Sequence, residues 1–259
     1  MPRARAQRRD GVSAHATRRA TVTGAASGIG EAVARRLRGD GVDVIAVDRD
    51  EAGLARVARL GAHPLVADLA DPDDRQRVVE ASDGGDYLVN AAGIIRLRPI
   101  FEATSEDWRD IFALNGEAVF FLCQQIGPRL RSGGAIVNLS STSAKVSSTT
   151  EAAIYAASKA AVISISRSFA YALASRPIRV NAVCPGVVDT PMQDRVLEDV
   201  APLRGITVDA LAAARLGSIP LARSSTPDEC AGLIGFLLSD EAAYMTGQSI
   251  NFSGGLVMS

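Results

Sequence analysis

Tyr155 and Lys159 stand four residues apart in Tyr155-Ala156-Ala157-Ser158-Lys159, inside a stretch with helical periodicity. On a helix that spacing puts both side chains on one face. The chain has four tyrosines and two lysines, Lys145 and Lys159, so the pairing is not a frequent accident. A tyrosine with a pKa near 10 is a poor base at neutral pH, and moving it by about 3 units takes about 4 kcal/mol of preference for the phenolate. A neighbouring ammonium supplies part of that preference. The pair therefore suits proton exchange with a hydroxyl or carbonyl, against the plainer reading of a surface tyrosine lying along a lysine stem.

A second group sits near the start: Thr23-Gly24-Ala25-Ala26-Ser27-Gly28-Ile29-Gly30, between an apolar strand and a helix. Backbone N–H groups and the positive end of a helix dipole at such a turn receive a pyrophosphate. The spacing is G-x-x-x-G-x-G rather than G-x-G-x-x-G, and a glycine-rich turn alone also occurs for purely structural reasons. Asp48, at the end of the next strand, supplies a carboxylate for the ribose hydroxyls of an adenosine. It would oppose a 2′-phosphate: two unit charges about 4 Å apart at an effective dielectric of 20 interact by about 4 kcal/mol. That favours NAD over NADP, as does Ser27 where a basic residue before Gly28 would serve a phosphate. Arg49 is the counter-signal, and a solvated strand-end aspartate is the plain alternative.

The elements that must position these residues alternate between short apolar runs and helical patterns, the sequence form of a parallel sheet covered on both faces. Strands are expected at 20–23, 42–47, 64–67, 87–90, 135–139, 178–183 and 249–252. Helices are expected from the glycine turn to about Arg38, over 106–130 with Ser105 as N-cap, over 153–174, and in an insertion over 192–216. Thr226-Pro227-Asp228-Glu229 reads as a capping box with proline at the first helical position, and Asp71-Pro72-Asp73-Asp74 as another helix start. The fold class is α/β, a single doubly wound Rossmann-type sheet of about seven strands. No linker or repeat divides residues 18–259, which read as one domain. Residues 1–17 are Arg-rich and poor in apolar side chains, and read as a disordered leader.

Composition narrows the function classes. Net charge is −1 with pI near 6.2, which gives no electrostatic reason to expect nucleic acid or an anionic membrane. No apolar run approaches the roughly 20 residues that span a bilayer. Cys123, Cys184 and Cys230, three at unrelated spacings, fit neither a disulfide framework nor a zinc site, so no metal is expected and the cytoplasm is the expected compartment. His15 and His63 have no triad or metal constellation around them.

The ordered set of Thr23-Gly-x-x-x-Gly-x-Gly30, Asp68, Asn90-Ala91-Ala92-Gly93, Asn115, Ser140-Ser141, Tyr155-x-x-x-Lys159 and Pro185-Gly186 followed by Thr190 resembles the short-chain dehydrogenases/reductases, in their non-extended branch of roughly 250 residues. The likeness covers almost everything after residue 17. It implies that Tyr155 exchanges the proton and Lys159 holds the nicotinamide ribose and lowers the tyrosine pKa. Ser141 orients the substrate oxygen, ahead of Ser140 and Ser143, and Asn115 holds a water of the proton relay. For the cofactor it implies Gly24, Ser27, Gly28, Ile29, Gly30 and Asp48, with Asp68 and Leu69 at the adenine. Asn90, Ala91 and Gly93 lie beside the adenosine ribose, and Pro185, Gly186, Val188 and Thr190 at the carboxamide. Two departures stand out: Ala91 replaces the usual second asparagine, and Ser253 precedes Gly254-Gly255 where aspartate is common.

The resemblance also implies a homotetramer built on the helices 106–130 and 153–174, with Phe112, Val119, Phe120 and Leu122 as apolar contacts. The segment 192–216 carries Gln193, Asp194, Arg195, Glu198, Asp199, Arg204 and Arg215 and no aromatic side chain. It points to a small polar alcohol (a polyol, sugar, cyclitol or hydroxy acid) oxidised with NAD. Reduction of a 3-oxoacyl or other ketone is the alternative, and a catalytically silent nucleotide-sensing protein the alternative of another class.

Overall fold

The first strand, β1 (Arg19–Thr23), is buried from Ala20 onward, and β4 (Tyr87–Asn90), β5 (Ala135–Leu139) and β6 (Arg179–Pro185) are buried at every residue. Strands apolar on both faces need cover on both sides, which is the setting of a parallel sheet. With β2 (Asp43–Asp48), β3 (His63–Val66) and β7 (Ser249–Phe252) they form one seven-stranded sheet in the order β3-β2-β1-β4-β5-β6-β7, every pair parallel. This computed structural model describes residues 17–146 and 149–258, so the expected leader lies outside the described residues except for Thr17.

One core packs α1 (Gly28–Gly39), α2 (Glu51–Ala58) and α9 (Pro227–Leu238) on the sheet through Val33, Leu37, Leu54, Ile234 and Leu237. The other packs α3 (Pro72–Ala81), α5 (Val119–Ile126) and α6 (Ala153–Leu173) through Val78, Leu122, Ile126, Val162 and Leu173. A small third cluster joins α7 (Pro191–Leu203) and α8 (Val208–Gly217) by Val196, Val200, Ala201 and Leu211, with Ile95 and Leu97 packed against it. The strand order reverses between β1 and β4, so their carboxyl ends open the crevice in which such sheets bind ligands.

The capping boxes form as the sequence indicates at α9, where Thr226 and Glu229 satisfy each other's backbone, and Asp71 caps α3 with Pro72 at its first position. Three expectations are corrected. Thr104, not Ser105, caps α4 (Ser105–Phe112), because its reciprocal partner Asp107 lies three residues on. The expected helix 106–130 is not continuous: α4 passes into a π-helical turn, Ala113–Ala118, and α5 ends at Ile126 before a 3-10 turn, Gly127–Arg129, that contains Pro128. The insertion 192–216 is two helices, parted at Gly205, whose φ of 63° suits glycine. Strand limits shift by one or two residues. Among the described residues no helix is long and apolar enough to cross a membrane.

Candidate active site

The glycine turn leaves β1 with Gly24 at φ 67°, where a Cβ would stand 2.7 Å from the Ala92 nitrogen, and a Cβ on Gly30 would stand 2.1 Å from the Gly24 carbonyl oxygen. Both positions need the missing side chain. Ser27 precedes α1 and makes no side-chain cap bond, leaving N–H donors at the positive end of the helix for an anion. Asp48 is fixed at the end of β2: the Ala26 N–H donates to its Oδ2 at 3.1 Å and the Asp50 N–H to its Oδ1 at 3.0 Å. Arg56 donates to the Ala26 carbonyl and to Glu31, holding the turn from the other side. An uncapped helix start, a turn closed to side chains and a fixed carboxylate beyond it together fit the pyrophosphate and adenosine ribose of a dinucleotide.

The residues expected to transfer the proton come together at the carboxyl end of β5. Lys159 is buried and its Nζ donates to the Leu139 carbonyl at 2.8 Å, 5.7 Å from the centre of the Tyr155 ring. Desolvation lowers its pKa from 10.5 to about 8. Ser140 donates to the Lys159 carbonyl at 2.7 Å, so the lysine is tied to the strand end through both its backbone and its ammonium. Tyr155 is half-buried; burial pushes its phenol pKa up, and a hydrogen bond with the Ser141 side chain pulls it back in part. At neutral pH the phenol of the protein alone is protonated.

Asn115 is fully buried in the π turn. Its Oδ1 accepts from the Ile94 N–H at 2.9 Å, and its Nδ2 donates to the Ile94 carbonyl at 2.9 Å and to Ser158 Oγ at 3.1 Å. Ser158 in turn donates to the Tyr155 carbonyl at 2.7 Å. The amide is therefore occupied in fastening the loop after β4 to the helix of Tyr155 and Lys159. A Cβ on Gly93 would lie 3.1 Å from Asn115 Oδ1 and 3.2 Å from Lys159 Nζ, which brings these three residues to one point.

The remaining expected residues all lie at the carboxyl side of the sheet, in different postures. Asp68 accepts from the Ala70 N–H and lies 3.9 Å from Arg49, whose side chain is 70% exposed. Leu69 is buried in the core, and Asn90 is buried in an interior chain of hydrogen bonds through Asn138 to Ser166. Ala91 is partly exposed there, and Ile29 packs on the first core. Pro185 ends β6, Gly186 follows, and Val188 bridges to Ser225. Thr190 caps α7 and sets its methyl carbon 3.2 Å from where a Cβ of Gly28 would be, so the glycine turn and the start of α7 meet. Sequence reasoning passed over Thr23 as a clamp: its Oγ1 accepts from the Ala91 and Ala92 N–H groups at 3.1 Å each, joining the two loops of the crevice. Ser158 was legible as the residue one turn after Tyr155, and Ser140 only as half of a serine pair.

The family profile described as enoyl-(acyl carrier protein) reductase matches residues 24–257. The 3-oxoacyl-(acyl-carrier-protein) reductase of Thermotoga maritima is 37% identical over 249 residues, 92% of this chain and 96% of that one. A Brucella melitensis structure named short-chain dehydrogenase/reductase, glucose/ribitol dehydrogenase, superposes with a TM-score of 0.84 at 32% identity over 93% of this chain and 97% of that one. An actinorhodin polyketide ketoreductase variant with NADPH does so with a TM-score of 0.86 at 33% identity, over 93% and 97%.

Proposed function

The chain belongs to the short-chain dehydrogenase/reductase family, and on that premise we propose that it reduces a ketone on an acyl chain, of the 3-oxoacyl type, to the secondary alcohol. The observation that carries this reading is the convergence of Tyr155, Ser141 and Lys159 at the end of β5, with the phenol held in its protonated form. Reduction of a ketone creates an alkoxide, which a protonated phenol neutralises without a further proton source at that moment. Ser141 donates to the carbonyl oxygen and fixes it against the Tyr155 hydroxyl. Lys159 places a positive charge behind the phenol, which steadies the phenolate left after transfer, and Asn115 and Ser158 hold the helix in register. The nicotinamide cofactor supplies the hydride. The ketoacyl and polyketide reductases among the relatives support the ketone over the small polar alcohol that the residues of 192–216 suggested; those charged side chains lie mostly on exposed helix faces.

For the cofactor we propose NAD(H), on Asp48. Its carboxylate is pinned by two backbone N–H groups at the ribose end of the turn, and Arg49 leans toward Asp68. A panel followed at 340 nm, offering NADH or NADPH with 3-oxoacyl thioesters and simple ketones, and NAD with polyols, tests both statements. Turnover of 3-oxoacyl thioesters with NADH at least about tenfold more efficient than with NADPH is expected, about 1.4 kcal/mol in discrimination, and Asp48→Ala should narrow that ratio. Faster NADPH turnover would give Arg49 the decisive role. Binding of NADH with no turnover of any compound would favour the nucleotide-sensing protein.

The assembly we propose is a homotetramer, through the face of α4, α5 and α6 on which Trp108 and Phe120 are exposed and Phe112 stacks on Trp108. Of the four residues expected there, Val119 and Leu122 are instead buried in the core of their own chain. Light scattering should report four chains per particle; a monomer at micromolar concentration rules the face out as an interface.

A further inference from the structure

The α7–α8 pair stands over the crevice between two anchors. At its start Thr190 meets Gly28, and along its length Val196, Val200, Ala201 and Leu211 rest on Ile95 and Leu97, two and four residues past Gly93. At the end of α7, Arg204 makes a two-pronged ion pair with Glu151: Nε to Oε1 at 3.0 Å and Nη2 to Oε2 at 3.1 Å. Apart from the bonds to its own end caps, Gln193 N–H to Thr190 Oγ1 and Ser218 Oγ to the Arg215 carbonyl, no other side-chain hydrogen bond or ion pair among the described residues runs from 191–217 to the rest of the chain. Glu151 is also the acceptor, through its backbone carbonyl, of the Arg98 N–H at 2.9 Å. It belongs to the 3-10 turn Thr150–Ala152, directly ahead of α6, and Tyr155 lies in the first turn of that helix. The loop after β4, the entry to the catalytic helix and the cover over the pocket therefore meet on one residue.

We propose that the Glu151–Arg204 pair is a clasp that sets the height and angle of α7–α8 over Tyr155 and Ser141, making both residues positioning residues for the ketone substrate. The inference rests on the reading of this crevice as the substrate pocket. The physical grounds are three. The apolar contact beneath the cover is small, so one directional contact has a large share in fixing its position. The pair is bidentate, which constrains orientation as well as distance. The Glu151 side chain is only 13% exposed, which shields the pair from solvent more than an ordinary surface bridge, and the Arg204 guanidinium holds the Glu151 carboxyl below its usual range, keeping it ionised at working pH. Neither residue touches the glycine turn or Asp48, so the clasp acts on the substrate and not on the adenosine end of the cofactor.

The test uses Glu151→Gln, Arg204→Gln, the double variant and Arg204→Lys in the full chain. Each Gln variant should raise KM for the 3-oxoacyl thioester about five- to tenfold, with the NADH dissociation constant and Tm essentially unchanged. The double variant should be no worse than either single one, because both remove one shared contact, and Arg204→Lys should recover part of the loss. Unaltered KM, additive losses, or an equal loss of NADH affinity overturns the clasp. Hydrogen–deuterium exchange gives a readout that does not need turnover: amides in 191–217 should exchange faster in both Gln variants while those of β1 and α1 do not. If the unaltered protein turns over no ketone, the proposed function fails while exchange still decides the clasp; unchanged exchange in 191–217 overturns it in either case.

Discussion

Tyr155→Phe should keep the fold and NADH binding and lose at least about 10²-fold in kcat, the scale of a lost general acid. The substitution removes one hydroxyl from a half-buried ring, a hydroxyl that is hydrogen-bonded with the Ser141 side chain. The ring stays 5.7 Å from Lys159 Nζ, and the bond from Ser158 is to the backbone of residue 155, so the positions of Lys159 and Asn115 do not depend on the phenol oxygen. The loss of one neutral hydrogen bond to Ser141 costs about 1 kcal/mol, and a Tm within a few degrees of the parent is expected. Fluorescence titration with NADH and steady-state assays on the same preparation separate binding from chemistry. A variant with near-normal kcat would show that another group delivers the proton and would sink the assignment of Tyr155.

Lys159→Met should separate stability from activity in the opposite sense. The ammonium is buried, with the Leu139 carbonyl as its hydrogen-bond acceptor within the chain, and burial lowers its pKa from 10.5 to about 8. Between pH 8 and 10.5 the unfolded chain binds this proton and the folded one does not. Stability due to this group therefore rises with pH across that window. Below pH 8 both states carry the charge and the full cost of burying it is present. Removing the charge should raise the stability of the cofactor-free protein at pH 7 on the order of 2 kcal/mol, the lost bond to Leu139 offsetting part of the gain. The advantage should fade as pH approaches 10. Turnover should fall by at least about 10²-fold and NADH affinity should weaken if, as proposed, one side chain serves both the ribose and the phenol. Calorimetric Tm values from pH 6 to 10, beside NADH titrations, check this; a less stable variant at pH 7 would mean that the buried ammonium is held by more than its desolvation allows. The expected result is the usual exchange of stability for a charged group kept for function.

The amino-acid sequence determined the elements whose causes are local. Alternating apolar runs and helical patterns specified seven parallel strands, because a strand buried on both faces must be apolar throughout. Short-range chemistry placed Thr226 and Glu229 at the start of α9, Asp71 at the start of α3, and Tyr155 and Lys159 on one helix face. The order of the motifs carried the family, and with it the end of the sheet at which the site forms. What the tertiary structure alone decided are matters of contact between distant segments. The helix 106–130 reads as continuous from its periodicity, yet Asn115 is drawn 21 residues back to Ile94, with a π turn at that point. Asn90 reads as a cleft residue from its motif, yet its amide turns inward to Asn138 on the neighbouring strand. Val119 and Leu122 read as contacts between subunits, yet they face their own core, since an apolar residue's pattern does not say which apolar surface it meets. Glu151 and Arg204, 53 residues apart, gave no signal as a pair: Arg204 read only as one of several charges in 192–216, charged side chains in loops and at helix ends are ordinary in any sequence, and only the folded chain brings the two together.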